Sequence, residues 1–133
     1  MSRVCALCLL LALAVLASGC ATEEKYENKP KAPRVFSVST LITVTAIAVS
    51  PKEFGAGPTR FVTGNKSDVK QIITFEGERV SRSIELGPSE TRTFKVTTYP
   101  GPFTIDSSAT TADPVEIFIG AERPSAQNDI NQP

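Results

Sequence analysis

Side chains able to carry out chemistry are few in this chain of 133 residues. Histidine and tryptophan are absent, and the three cysteines are Cys5, Cys8 and Cys20. Nucleophilic catalysis by serine needs a nearby base, usually histidine, and catalysis by cysteine needs a free thiolate. Most catalytic and transition-metal chemistry therefore lacks its usual residues. We predict that the protein is not an enzyme and holds no metal or other cofactor.

Weaker polar groupings remain, and each has a simpler interpretation as a solvated turn or surface. Ser67 lies close to Lys66 and Lys70 in the sequence, but neighbouring positions on a turn do not make a catalytic pair. Glu76 and Glu78 are two residues apart across a hairpin turn, which is more simply a charged turn. The acidic residues lack the glycine-and-acid spacing of a calcium loop. Asn65 begins an N-glycosylation pattern, but an asparagine there more simply supports a turn. The groupings are Ser67 with Lys66 and Lys70, Glu76 with Glu78, and Asp106 with Asp113 and Glu116.

Residues 1–19 have the form of a secretory leader. Arg3 supplies a positive charge, and an apolar run over 4–17 follows, which is shorter than the roughly 20 residues that span a bilayer. Leu-Ala-Ser-Gly-Cys over 16–20 resembles the lipobox of bacterial lipoproteins. The resemblance implies cleavage before Cys20, acylation of its sulfur with chains such as palmitate, and anchoring without spanning. A standard signal peptide cut near Ala21, leaving a free thiol, is the alternative.

The product of this cleavage is close to neutral. Removing Arg3 from 14 basic residues leaves 13 against 14 acidic ones, which points to neither nucleic acid nor an anionic membrane surface as a partner. Cys20 alone cannot form an intramolecular disulfide. The lipobox resemblance implies the cell envelope, and because Ala21 is not aspartate, it implies the periplasmic face of the outer membrane in a Gram-negative cell.

One domain is predicted over residues 34–120. Segment 20–33 is charged and contains two prolines, and segment 121–133 holds a single branched aliphatic residue. Neither composition buries enough apolar surface to offset the entropy of ordering. We therefore expect a flexible tether before the domain and a disordered tail after it.

Within the domain, short stretches alternate apolar and polar residues without a helical period. Valine, isoleucine, threonine and phenylalanine dominate, as in strands. Near Ala46 the alternation changes parity, which predicts a strand covered on both faces or a bulge. Alternation later places Phe94 in the core and Lys95 on the surface. The pattern predicts an all-β, antiparallel β-sandwich of about seven strands, with turns at 51–58, 64–65, 76–78, 87–89 and 99–102.

The order of strands and turns from 47 to 108 resembles that of small cupredoxin-like domains. A strand ending at Pro51 is followed by an aromatic residue and a glycine, a strand ending at Asn65, a turn over 86–91 and a glycine-aromatic corner over 99–103. Its parts also occur in immunoglobulin-like sandwiches, so we expect one of these two folds. The resemblance places Gln71, and either Ser107 or Ser108, where copper proteins of this fold carry histidine and cysteine. It therefore implies the fold without its copper.

Two functions agree with this sequence. One is a lipid-anchored lipoprotein of the cell envelope that acts as a non-catalytic binding or accessory module, with an envelope protein or a glycan as partner. The alternative is an accessory subunit of an envelope redox or hydrolytic enzyme complex. Its cofactor would have to come from another chain.

Overall fold

A computed structural model describes residues 31–109 and 111–125 of the chain. All regular structure in these ranges is β, as predicted, and no helix there is long and apolar enough to cross a bilayer. The strands are β1 (Phe36–Ile42), β2 (Ile47–Ser50), β3 (Glu53–Asn65), β4 (Gln71–Gly77), β5 (Val80–Leu86), β6 (Thr91–Thr98), β7 (Gly101–Ser107) and β8 (Val115–Glu122).

The strands form two layers that share β3. In one layer β2, β1, β3 and β6 lie side by side, and in the other the start of β3 is followed by β8, β7, β4 and β5. We refer to these layers as sheet A and sheet B. The prediction of a β-sandwich is confirmed. Two of its strand pairs, β1 with β3 and β3 with β8, are parallel, so the sheets are mixed where the sequence predicted antiparallel pairing throughout.

The core between the layers is built around aromatic side chains. Phe61 is fully buried and stacks on Phe94 and Phe103, with ring centroids 5.5 Å apart in both cases. Phe75 meets Phe94 edge to face at 4.9 Å. Phe94 is 7% exposed and Lys95 is exposed, which confirms the predicted faces of β6. Alternating apolar residues of β4, β5, β7 and β8 complete the core, as their strand pattern requires.

The parity change near Ala46 is a hairpin turn between two strands. Thr43 N donates to Ala46 O at 2.9 Å, and Ala46 N donates to Thr43 Oγ1 at 3.0 Å. The predictions of a bulge or of one strand covered on both faces were therefore wrong. The turn contains neither glycine nor proline because the Thr43 hydroxyl closes it. This hairpin supplies the eighth strand.

The predicted turn over 51–58 was also wrong, because most of this segment belongs to β3. The strand leaves sheet B and enters sheet A near Gly57, whose φ of 131° is accessible to glycine and strained for other residues. Gly55 leaves room for Arg123, since a Cβ there would lie 2.6 Å from Arg123 Cγ. The glycines thus bend a continuous strand instead of ending it.

The last described residues hold this bend in place. β8 continues to Glu122, two residues beyond the predicted end of the domain. Arg123 Nε donates to Ala56 O at 3.2 Å, and its guanidinium lies 5.3 Å from the ring centroid of Phe36. Burial lowers the pKa of Arg123. The predicted tail from 126 to 133 lies outside the described residues.

Candidate functional site

Four loops meet at one end of the sandwich, which we call the loop end. They join β1 to β2, β3 to β4, β5 to β6, and β7 to β8. Backbone hydrogen bonds connect them, with Asn65 N donating to Glu90 O at 2.9 Å and Thr111 N donating to Val44 O at 2.9 Å. The start of β1, where the predicted tether joins the domain, lies at the opposite end.

Beneath the loops lies a chain of buried polar side chains. Gln71 begins β4 and Ser107 ends β7, and because these strands pair antiparallel, their side chains meet. The Ser107 hydroxyl donates to Gln71 Oε1, and Gln71 Nε2 donates to Ser67 Oγ at 2.8 Å. Ser67 Oγ in turn donates to Asn65 Oδ1 at 2.6 Å. All four residues are at most 7% exposed.

Asn65 connects this chain to the surrounding loops. Its Nδ2 donates to Val69 O at 2.8 Å and to Gly87 O at 2.9 Å, and its Oδ1 accepts from Ser67 N at 2.9 Å. This is the turn-supporting role expected of the residue. Full burial of Asn65 and these bonds leave no free amide for a glycan.

The two serines considered for the position of the absent cysteine have different roles. Ser107 contacts Gln71, whereas Ser108 is exposed and its Oγ accepts from Ile72 N at 3.1 Å. The polar atoms of the buried chain are amide and hydroxyl groups that bond to one another or to the backbone. Within the described ranges, no group of three or more histidine, cysteine, aspartate or glutamate residues could hold a metal ion.

The other polar groupings are not brought together as catalytic sites. Ser67 points into the buried chain, while Lys70 is exposed and pairs with Glu85 at 3.3 Å. Asp106 Oδ1 accepts from Ser107 N at 2.7 Å, and Asp113 is exposed in the loop before β8. The exposed Glu76, Glu78 and Glu116 line a shallow cavity of about 390 Å³ on the outer face of sheet B.

The turn between β5 and β6 contains an ion-paired carboxylate. Glu90 Oε2 accepts from Gly87 N at 2.7 Å, and its Oε1 pairs with Arg92 at 2.7 Å. The backbone hydrogen bond first, and Arg92 second, hold the pKa of Glu90 below its usual value. Both partners stabilise the ionised form of Glu90, and the carboxylate in turn stabilises the turn between β5 and β6.

Apolar side chains are exposed around the polar chain. Four of the six large apolar residues that are exposed in the described ranges lie at or beside the loop end, namely Leu41, Val44, Val69 and Ile72. Leu41 also lines a cavity of about 310 Å³ on the outer face of sheet A, with Ala48, Val62 and Gly64. Leu41 and Ile72 lie on the outer faces of sheets A and B, and Val44 and Val69 lie in loops, where a protein partner could bury them.

Sequence reasoning missed this apolar surface. Leu41 and Val44 have opposite parity in a stretch whose pattern predicted one strand, either covered on both faces or carrying a bulge, and neither prediction exposes both residues. Val69 was assigned to a strand with Gln71, Ile73 and Phe75, whereas it lies in the loop before β4 and is 42% exposed. The signal that could have found it was the run of charged residues around it, which is typical of a loop.

Comparison with known proteins gives a likeness in fold. No family model matches the chain, and no curated protein matches it. Among solved structures it is similar to one chain of a cryo-EM structure of a heme-copper terminal oxidase dimer. The TM-score is 0.51 at 14% identity, over 86% of this chain and 94% of that chain. At this identity the likeness concerns the fold, and it is compatible with the cupredoxin-like alternative.

Proposed function

We propose that the protein is a lipid-anchored module of the cell envelope that binds a partner protein through its loop end, without catalysis and without copper. The observation that carries this proposal is the composition of that end. Its buried polar groups bond to one another, and among charged and polar residues it exposes four large aliphatic side chains, Leu41, Val44, Val69 and Ile72. Such a surface offers burial of apolar area to a partner and no activated nucleophile or ligand to a substrate.

The position of the loop end supports the same function. Acyl chains on Cys20 would attach the domain through a flexible tether that joins it at the opposite end, so the hydrogen-bonded loops would be accessible from the aqueous compartment. The cavity beside Leu41 is about 310 Å³ and could accept one or two aliphatic side chains of a partner. A protein is therefore the partner favoured over a glycan, because aromatic stacking platforms are absent from the lining of this cavity.

A second candidate is an accessory subunit of an envelope redox or hydrolytic enzyme complex. The likeness to a chain of the oxidase dimer favours it, since the match extends over 94% of that chain. A module of this kind would contribute binding and position, and the partner would supply the cofactor. Both candidates require that the loop end contacts another protein.

Site-specific photo-cross-linking in intact cells tests the proposal. A photoreactive amino acid replaces Val69 at the loop end, and in a matched variant it replaces Ser37, which is exposed near the start of β1. We expect one discrete adduct from position 69 and none from position 37. The identity of the adduct then separates the two candidates, since a subunit of a redox or hydrolytic enzyme supports the second. Equal labelling from both positions would contradict docking at the loop end.

A further inference from the structure

The two sheets leave an open groove between the edge strands β5 and β6. In the described part of the chain β5 pairs only with β4, and β6 pairs only with β3. The facing edges therefore carry backbone N–H and C=O groups without a strand partner. The groove has a volume of about 430 Å³, and polar groups of Ser81, Thr97 and Tyr99 line it.

Two arginines lie in this groove, each on an aromatic ring. The guanidinium carbon of Arg82 is 4.8 Å from the ring centroid of Phe94, and that of Arg79 is 5.2 Å from the ring centroid of Tyr99. No carboxylate of residues 31–109 and 111–125 forms an ion pair with either one. Stacking fixes the plane of a guanidinium and leaves its N–H edge free to bind an oxyanion in a bidentate manner.

From these contacts we infer that the groove binds an acidic, extended segment of a partner protein. Carboxylates of the segment pair with Arg79 and Arg82, and its backbone hydrogen-bonds to the free edge of β5. Addition of a strand to an exposed edge is a recurrent mode of peptide recognition. This groove is separate from the loop end, and the inference does not rest on the function proposed above.

Spacing and surrounding charge favour a peptide over other anions. Arg79 in the turn before β5 lies over Tyr99 and Arg82 within β5 lies over Phe94, so an extended chain can present a separate carboxylate to each arginine. Glu78 precedes Arg79 in the turn, and Glu76 pairs with Ser81 across the adjacent strands. These carboxylates line the outer face of sheet B and would repel a flat anionic membrane, whereas an extended chain can place its own carboxylates at the two arginines only.

The probe for the test is a fluorescent, end-capped peptide of about eight residues that alternates glutamate and threonine, with a glutamine-threonine peptide as its neutral match. Binding is measured by anisotropy with the full chain held in phosphatidylcholine vesicles. A second set of vesicles contains phosphatidylglycerol. We expect the acidic peptide to bind at least about tenfold more tightly than the neutral one, and equally in both sets of vesicles.

Variants locate the binding. The double variant Arg79→Gln/Arg82→Gln should weaken binding of the acidic peptide at least about tenfold. The matched variant Lys52→Gln/Arg60→Gln removes the same charge elsewhere and should leave the affinity unchanged. Arg79→Gln alone leaves the stack of Arg82 on Phe94 intact and should weaken binding about threefold, with an unchanged Tm, even if the double variant is less stable.

Four results would overturn the inference. The first is equal binding of the two peptides, and the second is equal loss in the two double variants. The third is displacement of the peptide by phosphatidylglycerol, which would show that the groove faces a membrane. The fourth is an unchanged affinity in Arg79→Gln, which would show that the peptide does not use this arginine.

Discussion

Asn65 is the residue that holds the loop end together. Its side chain satisfies the carbonyls of Val69 and Gly87 and accepts from Ser67, all within a buried environment. Asn65→Ala leaves Ser67 N without its acceptor and removes one of two donors from each carbonyl, so we expect a loss of at least about 2 kcal/mol in the free energy of unfolding. Asp68→Ala, at an exposed position of the same loop, should cost less than about 0.5 kcal/mol. Denaturant melts compare the two, and equal costs would contradict the role of Asn65.

Thr63 presents the reverse case, a buried hydroxyl without a partner. Its Oγ1 and that of Thr40, which is its register neighbour across β1 and β3, form no hydrogen bond within residues 31–109 and 111–125. Thr63→Val keeps the shape and removes the unpaired group, so it should stabilise the fold by about 1 kcal/mol. Thr59→Val, which breaks bonds to Gly57 O and Thr98, should instead destabilise by about 1 kcal/mol. Destabilisation by both changes would indicate a partner for Thr63, such as a buried water.

Single residues at the site were predictable only in part. Resemblance to a family pointed to Gln71 and to one of two serines, and the structure brings Gln71 and Ser107 into contact. The hydrogen bonds that connect Ser67 and Asn65 to Gln71 and Ser107 were not predicted. The sequence places Ser67 on a turn and Asn65 at the end of a strand, but it does not indicate which buried groups their side chains contact. Such contacts depend on the tertiary packing of the strands.

Substitutions in strand β6 test which of its side chains face the core and which face the solvent. Phe94 packs against Phe61 and Phe75, while Lys95 is exposed on the other side of the sheet. Phe94→Ala should cost about 3 to 5 kcal/mol, and Lys95→Ala should stay within about 0.5 kcal/mol. Denaturant midpoints of the two variants measure this difference. If Lys95→Ala were as damaging as Phe94→Ala, the register of β6 against β3 would be wrong.

The turn between β5 and β6 should give stability a pH dependence of known sign. Because the folded-state pKa of Glu90 is lowered, its contribution is present above the unfolded value of 4.5 and is lost as the pH falls through the folded value. Wild type should therefore have a higher Tm than Glu90→Gln near about pH 6, and the gap should close near about pH 3. Thermal melts across this range measure the gap. A gap that stayed constant would mean that the charge of Glu90 plays no part.

Strands were predicted correctly where apolar and polar side chains alternate regularly. The prediction failed where a turn lacks glycine and proline, and where a strand contains both. The faces of β4, β5, β7 and β8 followed from their apolar residues. The β1–β2 turn lacked glycine and proline because Thr43 closes it, and β3 contained both because Gly57 redirects it between sheets. Parallel pairing of β1 with β3 is set by long-range contacts, which local patterns do not report.

At the scale of the whole molecule, the two outer faces and the two ends differ. The outer face of sheet A carries Arg60 and Lys95 opposite each other, whereas that of sheet B carries Glu76 and Glu116 beside a cavity. The net charge of the chain is therefore close to zero although the outer face of sheet A is basic and that of sheet B is acidic. The start of β1 and the loop end lie at opposite ends of the domain. Attachment through the predicted flexible tether would therefore leave the loops and both faces accessible to partners.

Anchoring itself depends on Cys20, which lies outside the described residues. The leader and lipobox resemblance predict that Cys20 carries the acyl chains, and two or more chains hold a protein on a bilayer because each buried CH₂ contributes about 0.8 kcal/mol. Cys20→Ser should therefore release the protein from membranes or leave the leader uncut, as fractionation and intact mass would show. The matched change Ala21→Ser should leave both properties unchanged. A Cys20→Ser protein that is cleaved normally, carries no acyl chain and still sediments with membranes would refute the lipoprotein assignment, since the sandwich would then have to bind the bilayer itself.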